Sequence, residues 1–236
     1  MLKKLWGKIK NFFKDKLMSE VTITRVGGEN NKVETIGNVI FVHGLEGNPM
    51  TSWTNSGNGG FWPEWLAEDF PQLNIWTIGY EAALTAWKAN TLPLQARATT
   101  ILERLATTEE LGDKPICFIT HSMGGLVVKQ MLNTGNTQNI ARYKKVTENT
   151  RGVVYIATPH DGAGLASLLN SPLKLIFRPN VTVAQLEKTH PTLMNLKDWY
   201  SNNARKLNIE TLAFYEGYPT KNVIVVNEAS ARPGIE

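Results

Sequence analysis

The chain has 236 residues, of which 42% are hydrophobic and 19% are charged, and it contains a single cysteine, Cys117. That length and apolar content suffice for one large domain, or two small domains, with a sizeable core. One cysteine cannot form an intramolecular disulfide, and no Cys/His cluster has zinc-ligand spacing, so a disulfide-stabilised secreted fold and a structural zinc domain are excluded. The longest uncharged apolar runs fall short of the roughly 20 residues that span a bilayer.

The positive charge is concentrated at the N-terminus. The formal net charge is +4, but residues 1–17 hold six lysines and one aspartate, a net +5, which leaves −1 for the other 219 residues. A nucleic-acid-binding body would be basic on its own account. We therefore expect no nucleic-acid partner.

Residues 1–17 have the pattern of an amphipathic helix with lysines on the polar face. Trp and Phe on the apolar face are typical of a helix lying in a membrane interface. The alternatives are a helix docked on the protein's own core and a targeting role. We expect a candidate membrane anchor at 1–17, a domain over 20–236, and a cytoplasmic or intracellular protein that associates peripherally with membranes. The apolar face consists of Leu2, Leu5, Trp6, Ile9, Phe12, Phe13 and Leu17.

The rest of the chain alternates between short apolar runs and helical patterns. Residues 21–26 alternate as a strand, and a helix is predicted from the N-cap candidate Thr91 to Gly112. Buried strands that alternate with helices predict an α/β fold with a mostly parallel sheet covered on both faces. The further predicted strands are residues 37–44, 73–80, 115–120, 152–157, 209–215 and 222–226.

The strongest chemical signal is the sequence PICFITHSMGG at residues 115–125. A buried strand, a sharp turn and a helix are the context of a nucleophile elbow, with Ser122 at the apex. Gly124 and Gly125 provide small residues after the serine, while Thr120 stands where the first glycine of G-x-S-x-G would be. The alternative is an ordinary turn between a strand and a helix.

The loop His43-Gly44-Leu45-Glu46-Gly47 is a candidate oxyanion loop because it follows the predicted strand at 37–44. Acyl transfer needs two N–H donors, one from the residue after the nucleophile and one from a loop after another strand. The candidates are the N–H groups of Met123 and Leu45. A glycine-rich loop without a catalytic task is the alternative. The sequence has no P-loop, and no dinucleotide fingerprint follows this strand, so we expect no cofactor and no metal.

Several motifs together carry a family resemblance over residues 36–233. The chain resembles the α/β-hydrolase superfamily, and within it the lipase-like serine esterases of the eukaryotic serine active site-containing protein type. The resemblance implies a lipase-like or esterase fold with a Ser-acid-His triad, but it does not imply a substrate. We expect a hydrolase that acts on carboxylic esters, lipids among them, through an acyl-enzyme. The motifs are FVHGLEG, TSW, FWPEWL, WTIGYEA, THSMGGLVVKQ, IATPHDGAG, AFYEG and VVNEASA.

The resemblance implies Ser122 as the nucleophile and a carboxylate after the strand at 209–215. Glu216 is the leading candidate for the acid and Glu228 is the alternative, although either could be a solvated loop carboxylate. The resemblance also implies that cap helices lie within residues 161–206. Apolar residues of this stretch could line an acyl-chain pocket, although we expect plain core packing for most of them: Leu165, Leu168, Leu169, Leu173, Leu175, Ile176 and Phe177.

The histidine of the triad is expected beyond Glu236. None of the four histidines, His43, His121, His160 and His190, occupies the chain order Ser, acid, His, and His160 is the fallback base. We expect either a fragment of a longer chain or a natural degenerate form. Two functions therefore stay open: a serine esterase, or a catalytically silent module that binds a lipid, a membrane or a partner protein.

Overall fold

Among the residues that the computed structural model describes, six β-strands form one sheet, in the order β1-β3-β2-β4-β5-β6. The structure describes residues 21–27, 34–82, 93–161, 190–215, 217 and 228–234. The amphipathic segment 1–17 and the predicted strand 222–226 lie outside the described residues. The strands are β1 (Val21–Val26), β2 (Gly37–Val42), β3 (Leu73–Tyr80), β4 (Ile116–His121), β5 (Thr150–Ile156) and β6 (Glu210–Phe214).

The sheet is mostly parallel, which confirms the predicted fold class. Strand β1 pairs antiparallel with β3, and all other neighbours pair parallel. Strands β2 to β6 therefore end at one edge of the sheet, which we call the carboxyl edge, and we call the opposite edge the amino edge. Because β1 runs the other way, its first residue, Val21, pairs with Tyr80 at the carboxyl edge.

Helices connect the parallel strands. The predicted helix from Thr91 to Gly112 is shorter than expected, because it ends at Ala106 and a separate 3₁₀ turn precedes Gly112; Thr91 is outside the described residues. At that end the hydroxyls of Thr107 and Thr108 donate to main-chain carbonyls of the last turn, which competes with helix continuation. The helices are α1 (Trp62–Asp69), α2 (Pro93–Ala106), α3 (Met123–Thr137), α4 (Ala141–Asn149), α5 (His190–Asn203) and α6 (Glu228–Ala231).

Both faces of the sheet are apolar, which explains why β2 reads as a continuous hydrophobic run. All six residues of β2 are buried. Ile40 and Val42 join the larger core beneath α2 and α3, while Val39 and Phe41 join a smaller core with Trp53 on the other face. Successive side chains of a strand point to opposite faces, so a strand covered on both sides must be apolar throughout.

Helix α5 belongs to the core. Its Leu196 and Tyr200 are buried, and the helix packs against α3. The apolar residues between 165 and 177, predicted to pack in the core or to line an acyl-chain pocket, lie outside the described residues, as does all of 162–189. No helix among the described residues is both long enough and apolar enough to cross a bilayer.

Candidate active site

Ser122 occupies a sharp turn between β4 and α3, as the sequence predicts. Its backbone has φ 51° and ψ −125°, a region that residues other than glycine rarely adopt. The Ser122 N–H donates to the Ile156 carbonyl at 2.9 Å, and the Ser122 carbonyl accepts from the Gly125 N–H at 3.1 Å. These bonds to β5 and to α3 hold the strained turn. The serine is 7% exposed, and its hydroxyl makes no hydrogen bond to any residue that the structure describes.

The elbow also depends on a close approach between α3 and the end of β2. A Cβ atom on Gly124 would lie 2.5 Å from the carbonyl oxygens of Val42 and His43, so only glycine fits there without displacing backbone. Thr120, in contrast, fits where the motif has glycine, because its buried hydroxyl donates to the Val154 carbonyl on β5 at 2.9 Å. A satisfied hydroxyl explains how the departure from G-x-S-x-G is accommodated.

The loop after β2 lies directly against the serine. A Cβ atom on Gly44 would be 2.8 Å from Ser122 Cβ, and the side chains of Leu45 and Met123 belong to one apolar cluster. The structure therefore brings together the two residues predicted to supply oxyanion donors. Neither of their N–H groups donates to another described residue, whereas the next one in the loop, Glu46 N–H, donates to Ala82. Two uncommitted N–H groups beside a serine are what an oxyanion requires.

His43 fixes the backbone of this loop through hydrogen bonds. Its imidazole is fully buried and stacks on the Tyr80 ring, with centroids 4.4 Å apart. Nε2 accepts from the Tyr80 N–H at 3.4 Å, so Nδ1 carries the proton and donates to the Gly44 carbonyl at 2.9 Å. Burial lowers the pKa of His43, and the ring is neutral. Both ring nitrogens are engaged, which makes His43 a structural residue.

Tyr80 is a residue of the site that the sequence analysis missed. Its hydroxyl donates to the His43 carbonyl at 2.6 Å, so it fixes the backbone that leads into Gly44. The available signal was its place as the last residue of a buried strand, next in the sheet to the strand that ends in the oxyanion loop. A polar aromatic residue there needs a buried hydrogen-bond partner.

His160, the fallback base, is buried below the carboxyl edge. It is 1% exposed, and its ring packs edge-on against Tyr155 with centroids 4.7 Å apart. Neither ring nitrogen hydrogen-bonds to a described residue. Burial, together with the positive charges of Lys129 and Lys197, lowers the pKa of His160 well below its usual value. The structure does not bring His160 into hydrogen-bond contact with Ser122.

The structure describes the side chain of only one of the other two histidines. His121 precedes Ser122 at the end of β4, is exposed, and lies with its ring centroid 6.4 Å from that of Trp53. His190 is the first residue of α5, and its side chain is outside the described residues. Neither of the buried histidines, His43 and His160, therefore has the geometry of a general base for Ser122.

The two candidate acids differ in what the structure says of them. Glu228 begins α6, is exposed, and accepts from the Arg232 guanidinium at 2.6 Å. Glu216 lies outside the described residues, but β6 ends two residues earlier at Phe214, whose carbonyl accepts from the Ala157 N–H at 2.8 Å. Because Ala157 follows the Ile156 carbonyl that holds Ser122, the chain that leads to Glu216 leaves the sheet next to the elbow.

The described residues contain no group of three or more His, Cys, Asp or Glu side chains placed to hold a metal ion. What they do assemble is a strained serine, a glycine-lined close approach and two uncommitted main-chain donors. That arrangement can attack a carbonyl carbon and stabilise the resulting oxyanion.

Comparison with known proteins identifies the family. Residues 34–189 match the family described as "Putative serine esterase (DUF676)". Protein SERAC1 of Homo sapiens is 32% identical over 203 residues, which cover 77% of this chain and 30% of that protein. Protein SERAC1 of Danio rerio is 29% identical over 225 residues, which cover 84% of this chain and 33% of that protein. The chain thus spans about a third of the length of these curated relatives.

Solved structures show the same fold. The lipase BlEst2 of Bacillus licheniformis in its mature form has a TM-score of 0.61 at 17% identity, covering 89% of this chain and 85% of the lipase. The phospholipase PlaB of Legionella pneumophila has a TM-score of 0.56 at 17% identity, covering 84% of this chain and 45% of that enzyme. The resemblance inferred from the sequence motifs is confirmed: the chain belongs to the DUF676 serine esterase family and has the lipase-like α/β-hydrolase fold.

Proposed function

We propose that this protein is a serine esterase that hydrolyses carboxylic esters, lipids among them, through an acyl-enzyme on Ser122. The observation that carries the proposal is the position of Ser122, held at φ 51° between β4 and α3 with Gly44 pressed against its Cβ. A strained backbone of this kind is maintained only where the surrounding structure determines it, and it is typical of nucleophile elbows.

In the proposed mechanism Ser122 Oγ attacks the ester carbonyl, and the carbonyl oxygen becomes an oxyanion. The N–H groups of Leu45 and Met123 stabilise that charge. Met123 opens α3, so its N–H is one of the unpaired donors at a helix N-terminus, where the helix dipole favours negative charge. The tetrahedral intermediate then expels the alcohol, and water hydrolyses the acyl-enzyme.

The proton of Ser122 must go to a base, and the base needs a carboxylate to orient it. We propose Glu216 as the acid, because β6 leads to it beside the elbow, and Glu228 as the alternative. The proposed base is a histidine that follows Glu236 in a longer chain. His160 is the fallback within the 236 residues.

The proposed partners follow from charge. The segment 1–17 carries a net +5 and an apolar face with Trp and Phe, so we propose that it binds anionic membrane surfaces. The remaining 219 residues carry a net −1, which supports the absence of a nucleic-acid partner.

The decisive experiment is intact-mass measurement after treatment with a fluorophosphonate. We expect one adduct, and we expect Ser122→Ala to abolish it. Variants His43→Gln, His121→Gln, His160→Gln and His190→Gln identify the base, because loss of the base slows labelling by orders of magnitude. Slow labelling of the 236-residue chain that none of the four substitutions changes would support a base outside these residues, whereas dependence on His160 alone would support the fallback.

A second function stays open because the buried His43 and His160 make no hydrogen bond to the Ser122 hydroxyl. A catalytically silent module would bind a lipid, a membrane or a partner protein through the same fold. It predicts no fluorophosphonate adduct on a folded chain that still co-sediments with anionic vesicles. An adduct at Ser122 would exclude this alternative.

A further inference from the structure

Large apolar side chains are exposed around the carboxyl edge. Met50, in the loop after β2, is 52% exposed, and Phe214 and Tyr215, at the end of β6, are 56% and 49% exposed. Trp62, at the first turn of α1, is 36% exposed, and its ring lies 6.0 Å from Trp53. We call Met50, Trp62, Phe214 and Tyr215 the apolar rim. Since β2 and β6 flank β4 and β5, the rim has members on both sides of Ser122.

The N-terminal segment joins the sheet at this same edge. Strand β1 is the antiparallel strand, and its first residue, Val21, pairs with Tyr80 at the end of β3. The Arg25 guanidinium donates to Asn74 Oδ1 at 2.7 Å, which fixes the register of β1 against β3. Residues 18–20 span at most about 11 Å when fully extended. The chain that follows the segment 1–17 therefore enters the sheet at the edge that holds Ser122.

We propose that the carboxyl edge is the membrane-binding surface of this protein and that its occupant is an anionic lipid bilayer. Residues 1–17 supply the electrostatic attraction, and the apolar rim supplies a second, hydrophobic contact. One weak signal rarely gives stable membrane attachment, whereas a basic amphipathic segment combined with apolar contacts does. This inference rests on the proposed membrane association of residues 1–17.

The described charges at the carboxyl edge are consistent with an electrostatic contact made by residues 1–17 and a hydrophobic contact made by the apolar rim. The Arg97–Glu81 pair at 3.0 Å and the Arg232–Glu228 pair at 2.6 Å are each neutralised internally. These pairs bring no net positive charge, and the loops after β2 and β5 add the acidic Glu46 and Asp161. The lysines of 1–17 are therefore the proposed source of attraction. In this orientation the edge that contains Ser122 faces the bilayer. Ester substrates in the bilayer then reach the serine without crossing bulk water.

The amino edge provides matched controls. Ile36, just before β2, is 63% exposed, and Phe70, just after α1, is 43% exposed. They resemble Met50 and Tyr215 in size and exposure but lie at the opposite end of the strands. If only the carboxyl edge contacts the membrane, positions 50 and 215 enter the lipid environment and positions 36 and 70 do not.

The test uses environment-sensitive NBD probes on the full 236-residue chain. Four single-cysteine variants, Met50→Cys, Tyr215→Cys, Ile36→Cys and Phe70→Cys, are made in a Cys117→Ala background and labelled. On addition of vesicles of equal parts phosphatidylcholine and phosphatidylglycerol, we expect a blue shift and a rise in emission at positions 50 and 215 only. A comparable response at 36 and 70, or none at 50 and 215 on vesicle-bound protein, would overturn the proposal.

Vesicle partitioning gives a second measurement that needs no label. We expect the combined change Met50→Ser, Phe214→Ser and Tyr215→Ser to weaken binding about tenfold, and Ile36→Ser with Phe70→Ser to leave it unchanged. Equal effects of the two sets would refute the proposal. If the unmodified chain does not bind these vesicles at all, both this inference and the membrane role of residues 1–17 fail. The esterase proposal is judged separately, by the fluorophosphonate adduct in solution.

Discussion

The two halves of the candidate site are built in different ways. In the nucleophile half, Ser122, Gly44, Leu45 and Met123 come from two turns at the ends of the adjacent strands β2 and β4. In the acid-base half, Glu216 follows β6, Glu228 opens α6, and His160 follows β5. The first half is held by short main-chain contacts, whereas no described contact links the second half to the serine. Turns that abut in one sheet can assemble locally, while an acid and a base depend on distant segments.

Two buried histidines illustrate the same difference. His43, in the nucleophile half, uses both ring nitrogens, one towards Gly44 and one towards Tyr80. His160, in the acid-base half, is equally buried, but neither ring nitrogen has a partner among the described residues. A buried polar group without a partner costs free energy, so His160 is the less well accommodated of the two.

The largest expected effect separates the two candidate acids. In a longer chain that includes the proposed histidine beyond Glu236, we expect Glu216→Gln to lower the Ser122-dependent hydrolysis of a p-nitrophenyl ester by about 10²- to 10⁴-fold, because the base loses its orienting carboxylate. Glu228→Gln breaks only the exposed ion pair with Arg232 and changes the rate by less than about twofold. The reverse order of effects would make Glu228 the acid.

The second prediction concerns the close packing of the nucleophile half. In Gly44→Ala the new methyl group would meet Ser122 Cβ at 2.8 Å and the His121 carbonyl at 2.9 Å, so the loop must move. Because displaced oxyanion donors cost about 10²- to 10³-fold in turnover, we expect a loss of that order in hydrolysis and in fluorophosphonate labelling.

Gly217→Ala is the matched control for that substitution. Gly217 lies beyond β6, and a Cβ atom added there meets no atom of the described residues within 4 Å. We expect labelling within about twofold of the unmodified chain. Equal tolerance of both alanines would show that the contact between Gly44 and Ser122 does not control the site.

A smaller effect is expected from Tyr80→Phe. The change removes the buried hydrogen bond from the Tyr80 hydroxyl to the His43 carbonyl but keeps the ring stacked on His43. The loss of one such bond costs about 1 kcal/mol, which corresponds to roughly a fivefold slower labelling rate if the whole cost falls on the loop. A fall in melting temperature with unchanged labelling would instead assign Tyr80 to stability alone.

The smallest expected effect is the contribution of His160 to the pH dependence of the free energy of unfolding. Burial keeps its pKa well below the usual value, and Lys129 and Lys197 act in the same direction. Below about pH 6.5 the unfolded chain binds a proton that the folded chain does not, so the free energy of unfolding falls as the pH drops from 7 to 5. We expect His160→Gln to weaken that dependence in urea titrations, with the remainder due in part to His43. An unchanged slope would contradict the burial of a neutral His160.

The sequence predicted the local features of the molecule better than the distant ones. The alternation of apolar runs and helices gave the mostly parallel α/β sheet, and the turn chemistry around Ser122 gave the elbow. The end of α2 was wrong by several residues, because threonine hydroxyls compete for carbonyls in its last turn. Tyr80 was missed, since its role depends on a carbonyl 37 residues away in the chain.

By itself, the sequence determined which residues are able to do chemistry here: a serine followed by two glycines after a buried strand, and a glycine loop after another strand. Periodicity and turn residues are local properties, so they can be read without coordinates. Only the tertiary structure decided that Gly44 touches Ser122, that both ring nitrogens of His43 are engaged, and that β1 begins at the carboxyl edge. Those facts depend on strand order and register, which are fixed by contacts between residues that are far apart in the chain.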